Sequence, residues 1–226
     1  MNLAVELWLQ AERAEDLAAR VRRLLGPFSG SEIALDSGCG TGALAAALAP
    51  SVKEVVCVDA PSEYLEAARS SAPDNARFVE GEPTALPFEF ASFDLTVCHR
   101  VLHHVRRPEL AVSELARVTR LGGKLLIVDQ LGSVDPLRSL EMDRFERLHE
   151  PTHQRLLPDT DIRGYLDAND LVLVSSEVTR ERVDLEQRLD IGGVSDEERL
   201  RVRGPAPIAP YEIEVGWYVA RKLGPS

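Results

Sequence analysis

Asp36, Gly38, Gly40 and Gly42 sit in the string I-A-L-D-S-G-C-G-T-G over residues 33–42, where an apolar run ends in an acid and alternate glycines open a small-residue helix. Glycine loses the most backbone entropy on folding, so such a cluster marks a turn that needs positive φ or lets a ligand approach the backbone closely. An acid at the carboxyl end of a parallel strand, as Asp36 is, would point into the crevice where ligands bind. A phosphate-binding glycine loop places negative charge at a helix N-terminus, whereas an acid inside the turn repels pyrophosphate and suits an amine or a sulfonium. Spacing alone leaves a second reading open, because Gly38, Gly40 and Ala43 also fit the dinucleotide fingerprint G-x-G-x-x-G/A of nicotinamide-linked oxidoreductases.

Further along, Asp59 ends the run V-V-C-V-D, a position from which a carboxylate accepts from both hydroxyls of a ribose or simply caps the next helix. His103 and His104 follow the fourth apolar strand, and an unperturbed imidazole pKa of about 6.5 suits general-base work. Asp129 ends the fifth strand at the same sheet edge. Neighbouring strand ends lie about 5 Å apart, so a His103–Asp129 pair is geometrically possible. The same histidines can instead cap a helix or pack in the crevice, and Asp129 can cap the next helix. His149, His153 and Arg155 fall in a proline-bounded stretch, where they could hold a carboxylate or phenolate or lie solvated on the surface.

The elements that must position these groups alternate along the chain. Apolar residues at helical spacing run from Leu3 to Leu25 and stop at Gly26-Pro27. Strands are expected at Ile33 to Asp36, Glu54 to Asp59, Arg77 to Glu80, Phe93 to Cys98 and Lys124 to Asp129, with helices at Ala43 to Leu48, Glu63 to Ser70 and Glu109 to Thr119. Gly122-Gly123 reads as a turn. Strands and helices of these lengths in alternation imply a doubly wound parallel sheet covered on both faces, with right-handed crossovers. After Asp129 the rhythm breaks. Residues 133–158 read as a substrate cap, helical in the middle with Leu137, Leu140, Phe145 and Leu148 on one face. A helix at Asp159 to Ala168 and strands at Leu171 to Val178 and Glu212 to Arg221 complete the pattern, and Val183 to Pro210 is expected to hold short helices and a mobile loop.

Size and charge bound the function. The 226 residues, 44% hydrophobic, suffice for one domain with a core and would be cramped as two. A formal charge of −11 disfavours nucleic acid and anionic membrane surfaces as partners. Cys39, Cys57 and Cys98 are odd in number and widely spaced, which suggests neither a disulfide framework nor a metal site and fits a reducing, cytoplasmic setting. The first residues lack the basic start and long apolar core of an export signal.

The ordered strings D-S-G-C-G-T-G, V-V-C-V-D, G-E-P-T-A-L-P-F, S-F-D-L, L-H-H-V and R-V-T-R-L-G-G-K-L-L-I-V-D together resemble the class I S-adenosylmethionine-dependent methyltransferases. Within them the chain resembles the small-molecule group that includes the ubiquinone/menaquinone-biosynthesis C-methyltransferases, over about its first two thirds. The stretch H-E-P-T-H-Q-R is similar to an R-D-P-S-H-V-R segment of one bacterial branch. The resemblance implies a single Rossmann-like domain over residues 1–226, a seven-stranded sheet ordered 3-2-1-4-5-7-6 with an antiparallel last strand, S-adenosylmethionine as methyl donor and S-adenosylhomocysteine as product. It implies a small-molecule acceptor methylated at O, N or C, and a monomer or homodimer. Asp36 and the backbone of Gly38 and Gly40 would hold the methionine end, Asp59 the ribose, and Ala60 and Pro61 the ring. Cys39 and His99 complete the lining, while His103, with His104 as its alternate and Asp129 behind, would serve as base. Gly81-Glu82-Pro83 departs from the usual G-D-A: Glu82 can still reach the adenine, but Pro83 offers no N–H to it. Glu6 and Trp8 lie in the N-terminal helix that often closes the site in this family. A domain that binds the cofactor without catalysis is a further alternative.

Overall fold

The computed structural model of the chain describes residues 3–184, 186, 189–190, 193–203 and 211–223. Helix α1 (Leu3–Leu25) precedes β1 (Ile33–Ser37), α2 (Ala43–Leu48), β2 (Glu54–Asp59), α3 (Glu63–Ser70), β3 (Ala76–Glu80) and β4 (Phe93–His99). Then follow α4 (Pro108–Val118), β5 (Thr119–Gln130), α5 (Pro136–His149), α6 (Asp159–Asp167), β6 (Leu171–Val183), α7 (Asp196–Arg203) and β7 (Tyr211–Lys222). Seven strands form one sheet in the order β3-β2-β1-β4-β5-β7-β6, with β7 antiparallel to both its neighbours. This is the order and polarity implied by the sequence resemblance.

The central strands are near-continuous apolar runs because they are covered on both faces. One face packs Leu44 and Leu48 of α2, Leu65 of α3 and Val21 and Leu25 of α1 against Val55, Cys57 and Val97. The other packs Val112 and Leu115 of α4 and Ile162 and Leu166 of α6 against Leu35, Val56, Leu125 and Ile127. The parallel strands β1, β2, β4 and β5 therefore bring their carboxyl ends, Asp36, Asp59, His99 and Asp129, to one edge.

Four expectations are corrected, the last of them in helix α5. Gly122-Gly123 is no turn ahead of β5 but an irregularity inside it: pairing with β4 jumps between Phe93 and Leu95. Gly122 has a φ of +76°, and a Cβ on Gly123 would lie 2.9 Å from the Asp94 carbonyl oxygen, so the ladder bends where only glycine fits. Strand β6 runs to Val183 rather than Val178, paired with β7 as far as Tyr211. Its polar end stays extended in the ladder with β7, where Glu177 also takes Arg23 of α1 at 2.6 Å and Glu181 takes Arg100 at 2.7 Å. Part of the stretch expected to be mobile is built into the core, since Leu189 and Val194 are buried beside Val183, Ile213 and Val215. Residues 204–210 of that stretch lie outside the described residues.

Helix α5 is capped at its start: Asp135 accepts from the N–H groups of Leu137 and Arg138 at 3.0 and 2.9 Å, and Pro136 occupies the first turn. Its anticipated apolar face is not buried, for Leu137 is 75% exposed and Leu140 and Leu148 also face solvent. Phe145 packs on the core, while the buried positions of the helix are Asp143 and Glu146.

Candidate active site

The glycine turn between β1 and α2 is shaped by what lies beside it. Gly38 has a φ of +76°, and a Cβ there would come 2.4 Å from a methyl of Val101, so the loop after β4 closes on its backbone. At Gly40, with φ +51°, a Cβ would meet nothing within 4 Å; its free face is the crevice. The Gly38 and Cys39 N–H groups donate to the Val58 carbonyl at 2.7 and 3.1 Å, and the Gly40 N–H donates to Asp59 Oδ2 at 2.7 Å. Asp59 also accepts from its neighbour Ala60 through Oδ1 at 2.8 Å. Each Asp59 oxygen keeps a lone pair for a hydroxyl donor. Cys39 is buried, and a hydrogen bond with Cys57 together with burial holds its thiol protonated.

Asp36 is 1% exposed, and neither carboxylate oxygen has a hydrogen-bond partner of normal geometry. Burial, then the neighbouring charge of Asp59, pushes its pKa up to about 7, with only slight relief from the Ala45 N–H. A buried carboxylate without a partner is costly, and a cation or strong donor in the crevice removes that cost. The donor set thus fits an amine or sulfonium ligand.

Glu82 is exposed on the loop after β3, and with Pro83 and Thr84 it borders a cavity of about 310 Å³ shared with His104, Arg106 and Leu110. His99 ends β4 with its ring centroid 6.2 Å from that of Trp217. Burial, then the charge of Arg100, pushes the His99 pKa down to about 3, so it is neutral at physiological pH.

The second half of the edge is a polar cluster. His103, on the single turn Leu102–His104 after β4, hydrogen-bonds through Nδ1 to Asp129 Oδ1. Asp129 is fixed in turn by the N–H groups of Leu102 and Gln130, both at 2.8 Å. Burial pulls the His103 pKa down, but the Asp129 charge and hydrogen bond outweigh it, and the net shift is upward. The reverse holds for Asp129, where the histidine overcomes burial and lowers the pKa. His104 lies beside it, the ring centroids 4.1 Å apart, with Nδ1 3.0 Å from Thr152 Oγ1. The chain after α5 folds back over both histidines, for the Gln154 N–H donates to the His103 carbonyl at 2.8 Å. This brings Glu150 to the pair, with Oε1 3.3 Å from His104 Nε2 and Oε2 3.7 Å from His103 Nε2.

His153 and Arg155 part company. His153 is buried and donates from Nε2 to Asp143 at 2.9 Å, its ring centroid 5.7 Å from that of His103. Arg155 instead reaches Tyr165 at 3.1 Å and Asp161 at 3.4 Å on α6. Only a backbone position is described for His149, and the side chains of Glu6 and Trp8 lie outside the described residues. Sequence reasoning missed Glu150, Asp143 and Glu146, and also Gln130, whose amide donates to Glu146 at 2.7 Å. The one available signal was the acid of the H-E-P-T-H-Q-R string lying beside two histidines.

The strand order, the glycine turn after β1 and the acid ending β2 are those of a class I S-adenosylmethionine-dependent methyltransferase. The family described as a methyltransferase domain matches residues 35–127, which therefore form such a domain. The chain is 36% identical over 141 residues to the uncharacterized methyltransferase YcgJ of Bacillus subtilis (strain 168), a match covering 61% of this chain and 56% of that protein. It is 33% identical over 137 residues to a demethylmenaquinone methyltransferase of Clavibacter sepedonicus, covering 60% of this chain and 56% of that one. The chain thus spans little more than half the length of these curated relatives. The crystal structure of YcgJ superposes on the fold with a TM-score of 0.83 over 93% of this chain and 99% of that chain, at 24% identity. Among the described residues no helix is long and apolar enough to cross a membrane.

Proposed function

We propose that the protein transfers a methyl group from S-adenosylmethionine to a small-molecule acceptor at O, N or C. The observation that carries this reading is the buried, unpartnered carboxylate of Asp36 beside a glycine turn, a site that asks for a cation and repels pyrophosphate. When bound, the cofactor supplies an activated methyl on a sulfonium, so the chain has only to align an in-line displacement and take up a proton where the acceptor carries one. Asp36 and the Gly38–Gly40 backbone hold the methionine end, and Asp59 holds the ribose hydroxyls. Ala60 borders the ring, and Glu82 meets the adenine amino group where Pro83 has no N–H to give. Cys39 and His99 line the crevice.

On the acceptor side His103 takes the proton through Nε2 while Asp129 holds Nδ1–H and stabilises the imidazolium. Helix α5 and residues 149–158 cover this side and carry the acceptor preference. The test is a melting experiment on the purified chain with each ligand in turn. S-adenosylmethionine and S-adenosylhomocysteine are expected to raise the melting temperature by mass action, and NAD and NADP to leave it unchanged. A shift with NAD alone would replace this reading with the nicotinamide one.

A further inference from the structure

We infer that His103, His104 and Glu150 form a binding site for a divalent transition-metal ion, of the kind that imidazole and carboxylate bind together, with zinc as the leading example. One donor atom from each residue lies within 4.8 Å of the other two. Bonds of about 2.0–2.1 Å in a tetrahedral shell put neighbouring donors about 3.4 Å apart. Glu150 spans the pair, with Oε1 3.3 Å from His104 Nε2 and Oε2 3.7 Å from His103 Nε2, and small side-chain rotations would bring one oxygen and both nitrogens onto a single ion.

What distinguishes this cluster from a chance gathering of polar groups is the way its histidines are held. A metal-ligating histidine almost always donates its other ring N–H to a carboxylate or another oxygen, which fixes the tautomer and raises the basicity of the ligating nitrogen. His103 has that arrangement, giving Nδ1–H to Asp129, itself anchored by two backbone N–H groups, and its lone pair is left on Nε2. His104 has a Thr152 hydroxyl 3.0 Å from Nδ1, an oxygen that can take Nδ1–H when an ion takes Nε2, and both Nε2 atoms face Glu150.

The backbone makes the cluster rigid. The Gln154 and Arg155 N–H groups converge on the His103 carbonyl, and the His153 N–H donates to the Glu150 carbonyl at 2.9 Å, so the segment bearing Glu150 is tied to the turn bearing both histidines. The donor types suit an ion as well: two carboxylates, Asp129 and Glu150, face the two imidazoles. A route in exists, since the side chains of His104 and Glu150 are 28% and 23% exposed and His104 borders the cavity described above. Three protein donors leave coordination positions open, the arrangement of catalytic rather than structural zinc sites. Those positions would take water or an oxygen of the acceptor. At His103 Nε2 an ion and a proton exclude each other, so the metal-loaded chain would not use His103 as the base assigned above, and the site is tested by binding, without methyl transfer.

The probe is cobalt(II), titrated into metal-free full-length chain and followed by its visible d–d absorption, with zinc competition read in the same cuvette. One ion per chain, bound saturably at micromolar or lower concentration and displaced by zinc, is expected. Glu150→Gln and His104→Ala should each weaken binding by at least tenfold, and Thr152→Val by about tenfold through loss of the oxygen that orients His104. Far-UV circular dichroism and the S-adenosylhomocysteine melting shift report folding and cofactor binding separately in every variant. No saturable binding to the wild-type chain, or binding undiminished in folded Glu150→Gln and His104→Ala, overturns the inference. Failure of the melting shift alone would count against the methyltransferase reading and leave the metal site standing.

Discussion

The two halves of the crevice are built differently. On the β1–β2 side Asp36, the glycine turn and Asp59 lie within 24 positions of chain, and this part of the site consists of backbone, small residues and two acids, one of them satisfied by its own loop. On the β4–β5 side the groups come from the turn after β4, the end of β5, helix α5 and the return after it. The first half is a cradle whose chemistry is largely fixed by two adjacent strands, and it carries an unpaired buried charge. The second is a closed network of side chains in which each charge has a partner. Such a contrast is expected when one half holds a cofactor common to many proteins and the other must suit one acceptor.

The largest effect is expected in the network. His103→Ala should lower turnover by about 10²–10⁴ while leaving S-adenosylmethionine affinity nearly intact, as rates and binding isotherms on the same preparation would reveal. If cofactor binding fell as steeply as turnover, the two halves would not be separable.

Asp36→Asn should act in the opposite sense on the two properties of the cradle. The ligand should bind poorly, because the carboxylate facing the cation is gone. The ligand-free chain should become more stable at neutral and alkaline pH, on the order of 1–4 kcal/mol. The sign follows from linkage: a carboxyl raised from 3.8 to about 7 favours the fold fully below pH 3.8 and loses that contribution as pH rises through 7. The gap between variant and wild type should therefore open between about pH 4 and 7 in denaturant melts. A variant less stable at pH 8 would show that Asp36 is satisfied in the free protein.

Asp59→Ala should weaken cofactor binding by about 1.5–3 kcal/mol, the worth of a charged hydrogen-bond pair, with some loss of order in the glycine turn it now ties down. The smallest effect belongs to the outer surface of α5. Leu137→Ser should change stability by less than about 0.5 kcal/mol, because the side chain is already 75% in solvent. A larger loss in a chemical melt would mean that this face docks on something in solution.

Legibility followed the same division. Strand ends, the glycine turn and Asp59 could be read because hydrophobic runs and glycines act locally, and the fold order agreed with the resemblance. Helix α5 misled because Leu137, Leu140 and Leu148 have helical spacing, yet the side turned inward carries Asp143 and Glu146, which are satisfied by His153 and Gln130. No periodicity reveals that a polar face is buried when its partners lie elsewhere in the chain. The same holds for Arg155, two residues from His153 in sequence but drawn to Asp161 and Tyr165 instead.

By itself, then, the sequence determined the winding of the sheet, the edge to which Asp36, Asp59 and the glycine turn come and the presence there of an acid that suits a cation, because these follow from apolar period, glycine and an acid at a strand terminus. Tertiary structure alone decided that Asp36 has no partner, that Asp129 and not another acid holds His103, and that Glu150 closes on both histidines. The Glu150 contacts join residues up to 47 positions apart through the return of the chain after α5, the Asp129 contact comes from the ends of neighbouring strands, and burial and pairing are properties of the packed molecule rather than of any segment.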